Sequence, residues 1–219
     1  MPCWVDATHG EIALERFVSL AEETGLIHVL AERILRQACE TASLWPPHVT
    51  LSIDLYPSQL KDRLIAARVV RILHEAGLSP TRLEIEITES ALVADMDNAH
   101  LALDALRAAG VRIALDNFGT GYSSLYHLRS FKLDKIKIDR SFIQAMVGER
   151  ESRNIVSALV GLGNGLGLTI AADGIDGTDQ EASLINTGCE QGQGSLFNAA
   201  MTAAAASALV SHHDRAHRA

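Results

Sequence analysis

The residues best able to do chemistry in this 219-residue chain are acidic groups and one lysine that recur at the same point of a repeating pattern. Asp54, Glu86, Glu89, Asp116, Asn117, Lys137, Asp139 and Asp173 fall at or just before the ends of short apolar runs. In a parallel α/β barrel the C-terminal strand ends form one rim, and the rim builds the active site. A lone Asp or Glu at a strand end is more often a helix N-cap or a turn residue. Recurrence over five successive strands points instead to a shared site. Carboxylates a few ångströms apart cannot all stay ionised cheaply, so a hard divalent cation such as Mg²⁺ or Mn²⁺ is their natural neutraliser.

The elements that must position these groups follow from periodicity. Phe17, Leu20, Ala21 and Thr24, then Val29, Leu30, Ile34, Leu35 and Cys39, fall at helical spacing on either side of Gly25. After Pro46 and Pro47, Val49 to Leu55 reads as a strand and Gln59 to Ala76 as a helix stopped by Gly77. Leu83 to Thr88 alternates as a strand does, and Asn98 to Ala109 is a helix closed by Gly110. Strands Arg112 to Leu115, Lys135 to Ile138 and Leu168 to Ala172, a strand near Glu190, and helices Arg153 to Leu162 and Asp179 to Asn186 complete the series.

Strands separated by single helices imply right-handed parallel βαβ units. The expected fold is α/β, a TIM-type (β/α) barrel with about six strands, short of the eight of a full barrel. The missing opening strand or strands are expected before Met1, leaving Val49 to Leu55 with an open neighbour position. Residues 1–210 read as a single domain and 211–219 as a flexible tail, although His212 to Arg218 holds three His and two Arg. The glycines of Gly161 to Gly167 precede a strand, whereas a phosphate cradle follows one, so no nucleotide loop is read there.

Composition excludes several functions. The chain is 47% hydrophobic, enough for a sizeable core. No run of about 18 apolar residues predicts a membrane span and no leader is seen, so a cytoplasmic location is expected. Cys3, Cys39 and Cys189 lack disulfide or zinc spacing. A net charge of −8 and the lack of a helix-turn-helix pattern disfavour direct contact with nucleic acid.

Six segments carry a family resemblance. Ser19 to Leu26, Leu83 to Ser90, Ala114 to Leu125, Lys135 to Phe142, Ala171 to Asp176 and Gly188 to Gly194 resemble, in order and spacing, the signatures of the EAL family of cyclic di-GMP phosphodiesterases. The resemblance implies a modified TIM-type barrel that binds cyclic di-GMP and, in active members, uses two Mg²⁺ or Mn²⁺ ions to hydrolyse it to pGpG. It matches Glu86 and Asp116 to metal ligands, Asp116 as the bridging one, and Lys137 to the lysine beside the attacking water and the phosphate. Asp54, Asn117 and Asp173 fall on further metal positions. Glu89 matches the glutamate that steadies the loop carrying Phe118, Gly119, Thr120 and Gly121, which couples dimer contacts to the metals. Asp139, Asp176 and Gln193 fall at ligand-binding positions.

The departures are equally specific. The usual asparagine is Asp54, the second aspartate of an Asp-Asp pair is Asn117, and the late glutamate is Asp173. The motif glutamate falls before Met1, the phosphate-gripping arginine falls on Cys3, and Phe197 to Ala200 lacks the usual proline. The resulting expectation is a degenerate, non-catalytic regulator acting through a protein partner and cyclic di-GMP, with a homodimer and an indirect influence on transcription in view. The alternative is a weak or conditional phosphodiesterase with weakly held Mg²⁺ or Mn²⁺.

Overall fold

A computed structural model describes residues 4–6, 10–12, 14–120 and 130–217. Strand β1 (Trp4–Asp6) pairs antiparallel with β2 (Gly10–Ile12). The main sheet holds β3 (Leu51–Asp54), β4 (Leu83–Thr88), β5 (Arg112–Phe118), β6 (Lys135–Ile138), β7 (Thr169–Asp173) and β8 (Gln191–Gln193), all parallel and neighbours in chain order. Six strands agree with the sequence expectation. Among the described residues the sheet is open, with β3 and β8 at its edges.

The helices described in full are α1 (Leu14–Glu23), α2 (Ile27–Ser43), α3 (Pro57–Leu60), α4 (Ile65–Ala76), α5 (Glu89–Ala94), α6 (Met96–Ala108), α7 (Arg140–Ala145), α8 (Arg150–Gly165), α9 (Thr178–Thr187) and α10 (Ala203–His217). Their placement of the site follows from a segregation of the sheet's two faces. Successive strand side chains point to opposite faces. Leu83, Ile85 and Ile87 of β4, Ile113 and Leu115 of β5, Ile136 and Ile138 of β6, and Ile170 of β7 all join one buried cluster with helix residues Leu35, Leu73, Leu106, Val156 and Val160. The alternate positions are Ser52 and Asp54, Glu84 and Glu86, Arg112, Ala114 and Asp116, Lys135 and Lys137. All the large apolar residues of these strands pack on the helices, leaving the other face polar or small.

Several expected boundaries move for local reasons. The helix expected over Gln59 to Ala76 is two helices, because Asp62 Oδ1 accepts the Leu64 N–H at 3.0 Å and diverts the backbone into a turn. The strand expected from Val49 begins at Leu51; the Val49 N–H donates to Pro46 O in a turn and its carbonyl accepts Arg82 Nε at 2.9 Å. Strand β5 runs past Leu115 to Phe118 through an irregular register at Asp116 and Asn117. Helices α5, α7 and α10 and the β1–β2 pair were not anticipated. Helix α10 extends to His217, across the stretch expected as a tail; Thr202 Oγ1 accepts the Ala205 N–H, and Trp45 Nε1 donates to Ser207 Oγ at 2.8 Å.

Of the glycines in Gly161 to Gly167, Gly163 serves packing. Gly161, Gly163 and Gly165 lie within α8, and a Cβ at Gly163 would collide with Ile170 of β7, whereas one at Gly161 meets nothing within 4 Å. Opposite outcomes are expected. Gly163→Ala overpacks the helix–sheet contact and lowers unfolding free energy by about 1–3 kcal/mol, while Gly161→Ala raises it by about 0.5–1 kcal/mol. Urea denaturation of the two variants checks the signs.

Candidate functional site

Strands β3, β4 and β5 deliver Asp54, Glu86 and Asp116 to one place, where a carboxylate oxygen of each lies within 4.8 Å of the other two. The register explains this. Asp54 pairs with Glu86 across β3 and β4, and Asp116 stands one pleat further along β5, opposite Thr88. Lys137 enters from β6. Its Nζ lies 2.5 Å from Glu86 Oε2 and 3.2 Å from Asp116 Oδ1. Lys137 and Glu86 are both buried, at 7% and 9% exposure.

Two carboxylates, Glu86 and Asp116, contact the ammonium and Asp54 stands beside them, and protonation responds accordingly. Burial, then the charge of Asp116, pushes Asp54 above its ordinary 3.8, with Lys137 pulling the other way. Burial likewise raises Glu86 above its ordinary 4.5; Lys137 opposes this, and the charges of Asp116 and Asp54 reinforce it. For Lys137 burial works against the charge, yet Glu86 and Asp116 outweigh it and hold the ammonium above its usual range. One lysine does not satisfy the set. Among the described residues, Asp116 Oδ1 is buried and makes no hydrogen bond, the ion pair to Lys137 being its charged contact. A buried anionic oxygen lacking a hydrogen bond, beside two further carboxylates, fits a hard divalent cation with oxygen ligands.

Asp173 and Asn117, the other predicted metal positions, respectively end β7 and lie in the irregular stretch of β5. Asp173 ends β7, half-buried and in register with Gln193, and is not part of the three-carboxylate group. Asn117 adopts φ 55° in the irregular stretch of β5, a left-handed conformation that Asn tolerates better than most residues. Its carbonyl accepts Thr120 Oγ1 at 2.9 Å, which turns the chain away from the sheet.

The residues expected to couple the loop to the site do meet. Glu89, buried at 6%, accepts the Gly119 N–H at 3.3 Å through Oε1, while its Oε2 is buried with no hydrogen-bond partner among the described residues. Gly119 has φ +101°, and a Cβ there would lie 2.8 Å from the Phe142 ring, so the turn and the close approach both require glycine. Phe118 is buried beside them and Thr120 is exposed; Gly121 lies outside the described residues.

Of the expected ligand-binding residues, Asp139 is occupied as the N-cap of α7, accepting the Ser141 N–H at 2.8 Å and the Ser141 hydroxyl. Asp176 joins α7 to the turn after β8: it accepts Ser195 Oγ at 2.7 Å, Arg140 Nη2 at 3.0 Å and Gln144 Nε2 at 3.2 Å, and the first of these leads in lowering its carboxyl below the ordinary value. Gln193 is exposed at the end of β8. Sequence reasoning missed the layer beneath the site, where Glu84 accepts from Ser52 Oγ at 3.0 Å and Lys135 Nζ at 2.7 Å. The repeated spacing of Glu84 and Glu86 against Lys135 and Lys137 was the available signal.

The chain belongs to the EAL-domain family, whose profile matches residues 1–200. It is 42% identical over 207 residues to an uncharacterised protein of Sinorhizobium fredii, covering 94% of this chain and 25% of that one. It is 37% identical over 204 residues to MucR of Pseudomonas aeruginosa, a bifunctional diguanylate cyclase/cyclic di-GMP phosphodiesterase, covering 91% of this chain and 30% of MucR. The chain thus spans under a third of these relatives' lengths. The MucR phosphodiesterase in complex with cyclic di-GMP superposes with a TM-score of 0.87 at 36% identity, over 91% of this chain and 82% of that one. BlrP1 of Klebsiella pneumoniae, in a manganese and cyclic di-GMP complex, gives 0.75 at 30% identity, over 84% of this chain and 47% of that one. No helix among the described residues is long and apolar enough to cross a membrane.

Removing one charge tests the site in either direction. A carboxyl whose folded pKa is raised costs stability when ionised; the cost is complete above the folded value and gone below the unfolded one. Without divalent cations, Asp54→Asn is therefore expected to stabilise the protein at pH 7.5 by up to about 1 kcal/mol, since the residue is partly solvated. The gain should fade as the pH approaches 3.8. Lys137→Met, which leaves Glu86 and Asp116 buried and unpaired, should cost about 3–5 kcal/mol. Denaturant titrations in a chelator at both pH values decide each.

Proposed function

We propose that this EAL domain is a signalling unit that takes cyclic di-GMP together with a single divalent cation and hydrolyses it poorly or not at all. The observation that supports the reading is that the cluster contains three carboxylates from three adjacent strands, and that among the described residues Asp173 is not one of them. Phosphodiester hydrolysis at two-metal sites relies on ions about 3.5–4 Å apart that stabilise the attacking and leaving oxygens together. The exchanges at positions 54 and 117 offset each other in charge. They move a carboxylate from β5 to β3, which favours one compact binding point over two bridged ones.

A bound Mg²⁺ or Mn²⁺ would supply charge neutralisation for a phosphate and polarise a bound water. The chain's own residues divide the remaining work. Asp54, Glu86 and Asp116 would hold the ion, and Lys137 keeps Glu86 and Asp116 together in the polar pleat. To meet a phosphate, the Lys137 ammonium must exchange at least one of its two carboxylates, which favours holding over turnover. Glu89 ties the site-bearing strand to the turn at Gly119. In this reading that link carries ligand occupancy to a homodimer contact or a protein partner in the cytoplasm, with any effect on transcription passing through that partner.

A conditional phosphodiesterase is the second reading, favoured by the intact Lys137–Glu86–Asp116 cluster and the intact Glu89–Gly119 link. Titration calorimetry with cyclic di-GMP in Ca²⁺ and in Mg²⁺, followed by chromatography for pGpG, separates them. Binding without pGpG is the expected result, and pGpG at a rate comparable with an intact EAL enzyme would overturn it. Asn117→Asp with Asp173→Glu should raise Mn²⁺ affinity, through added charge and added reach, while hydrolysis stays low. Unchanged affinity in that double variant would contradict the assignment of positions 117 and 173 to the metal rim.

A further inference from the structure

Beneath the three-carboxylate site, the same face of the sheet carries a second charged pair that the proposed function does not use. Glu84 is 2% exposed and Lys135 is 13% exposed in its side chain, with Lys135 Nζ 2.7 Å from Glu84 Oε1. The pair repeats Glu86–Lys137 two residues back on each strand. Both pairs join β4 to β6 across β5, two strand spacings or roughly 9–10 Å. That reach needs a clear path, and Ala114 of β5 stands between them in the register with a side chain too short to block it.

The register also sets up a competition. Glu86 is aligned with Ala114, and Ala114 with Lys135, so Lys135 shares a row with Glu86. Its ammonium nevertheless lies on Glu84, one row further from the rim. Ser52 Oγ donates to the same Glu84 oxygen at 3.0 Å and helps fix that carboxylate. We propose that Glu84 is a positioning residue that holds Lys135 away from Glu86 and so leaves Glu86 available as a cation ligand. The inference rests on the reading of Glu86 as a ligand.

The physical reason is the cost of an unpaired ammonium. Without Glu84, Lys135 would keep its charge in a largely buried setting with no counter-ion, and relief lies in reaching the carboxylate of its own row. Glu86 would then face two ammonium groups. Its oxygens would be less available, and a cation bound there would meet a second positive charge within a few ångströms.

The experiment compares Glu84→Gln, Lys135→Met and the double variant Glu84→Gln/Lys135→Met. Mn²⁺ affinity is read by calorimetry, and the position of Lys135 by crystallography of cation-free Glu84→Gln. Glu84→Gln should weaken Mn²⁺ binding about tenfold or more, with Lys135 Nζ moved onto Glu86. The double variant should return affinity to within about threefold of the unsubstituted protein, because the competing ammonium is gone. Two results would overturn the inference: Glu84→Gln binding Mn²⁺ as the unsubstituted protein does, or the double variant staying as weak as Glu84→Gln, which would make Glu84 merely structural. The crystallographic readout needs no cation. It therefore separates failure of this inference, with Lys135 left in place, from failure of the cation site, with Lys135 moved but no Mn²⁺ bound by any form. Should Glu84→Gln not fold, Glu84→Asp with and without Lys135→Met makes the same comparison, since the shorter carboxylate keeps its charge but loosens its hold on Lys135.

Discussion

Everything distinctive about this domain depends on a charge imbalance buried along one face of a parallel sheet. At the rim, Asp54, Glu86 and Asp116 stand together beside one ammonium, Lys137, which leaves more negative than positive charge around the buried Glu86. Burial raises the carboxyls of Asp54 and Glu86, so the fold is under steady pressure to gain a proton or a cation there. The pressure is tolerable only because the apolar residues of the same strands are fully committed to the helices. A sheet whose helix-facing side includes Ile85, Ile113, Ile136 and Ile138, each at most 1% exposed, can hold its register against repulsion on the other side.

The rest of the architecture transmits or protects that arrangement. Glu89 and Gly119 connect the end of β4 to the end of β5, and Gly119 leaves room for the ring of Phe142, so the turn packs against α7. Asp176 gathers Arg140, Gln144 and Ser195 and fixes the far side of the rim, where β7 and β8 end. Helices α2 and α4 are clasped by Arg36 and Arg71 against Glu32 and Glu75, behind the strand that carries Asp54. The site thus rests on strands whose relative heights are fixed from both the helical and the concave sides.

Much of this was legible in the sequence, and what was not has physical causes. The alternation Leu-Glu-Ile-Glu-Ile-Thr at 83–88 announced both a strand and its two faces, and the same logic brought Asp54, Glu86, Asp116 and Lys137 to one rim. The role of Asp139 as the N-cap of α7 was not legible, because its local hydrogen bond from the Ser141 N–H is not revealed by rim position alone. The break at Asp62 was hidden for a similar reason, since the apolar period of a helix continues across a turn that one side chain enforces. Helix α10 escaped notice because its stability comes partly from the Trp45–Ser207 contact, 162 residues apart in the chain. The Glu84–Lys135 layer was written in the residue types but needed the strand register to show which lysine meets which glutamate.

The number of cations the rim holds is the most direct test of this account. Mn²⁺ titration at pH 7.5, followed by electron paramagnetic resonance, counts bound ions and reveals whether any two are coupled. One magnetically isolated Mn²⁺ per chain, lost on Asp116→Asn, is the predicted result. A spin-coupled pair of Mn²⁺ ions bound with similar affinity would contradict it and restore the two-metal site of a hydrolytic enzyme.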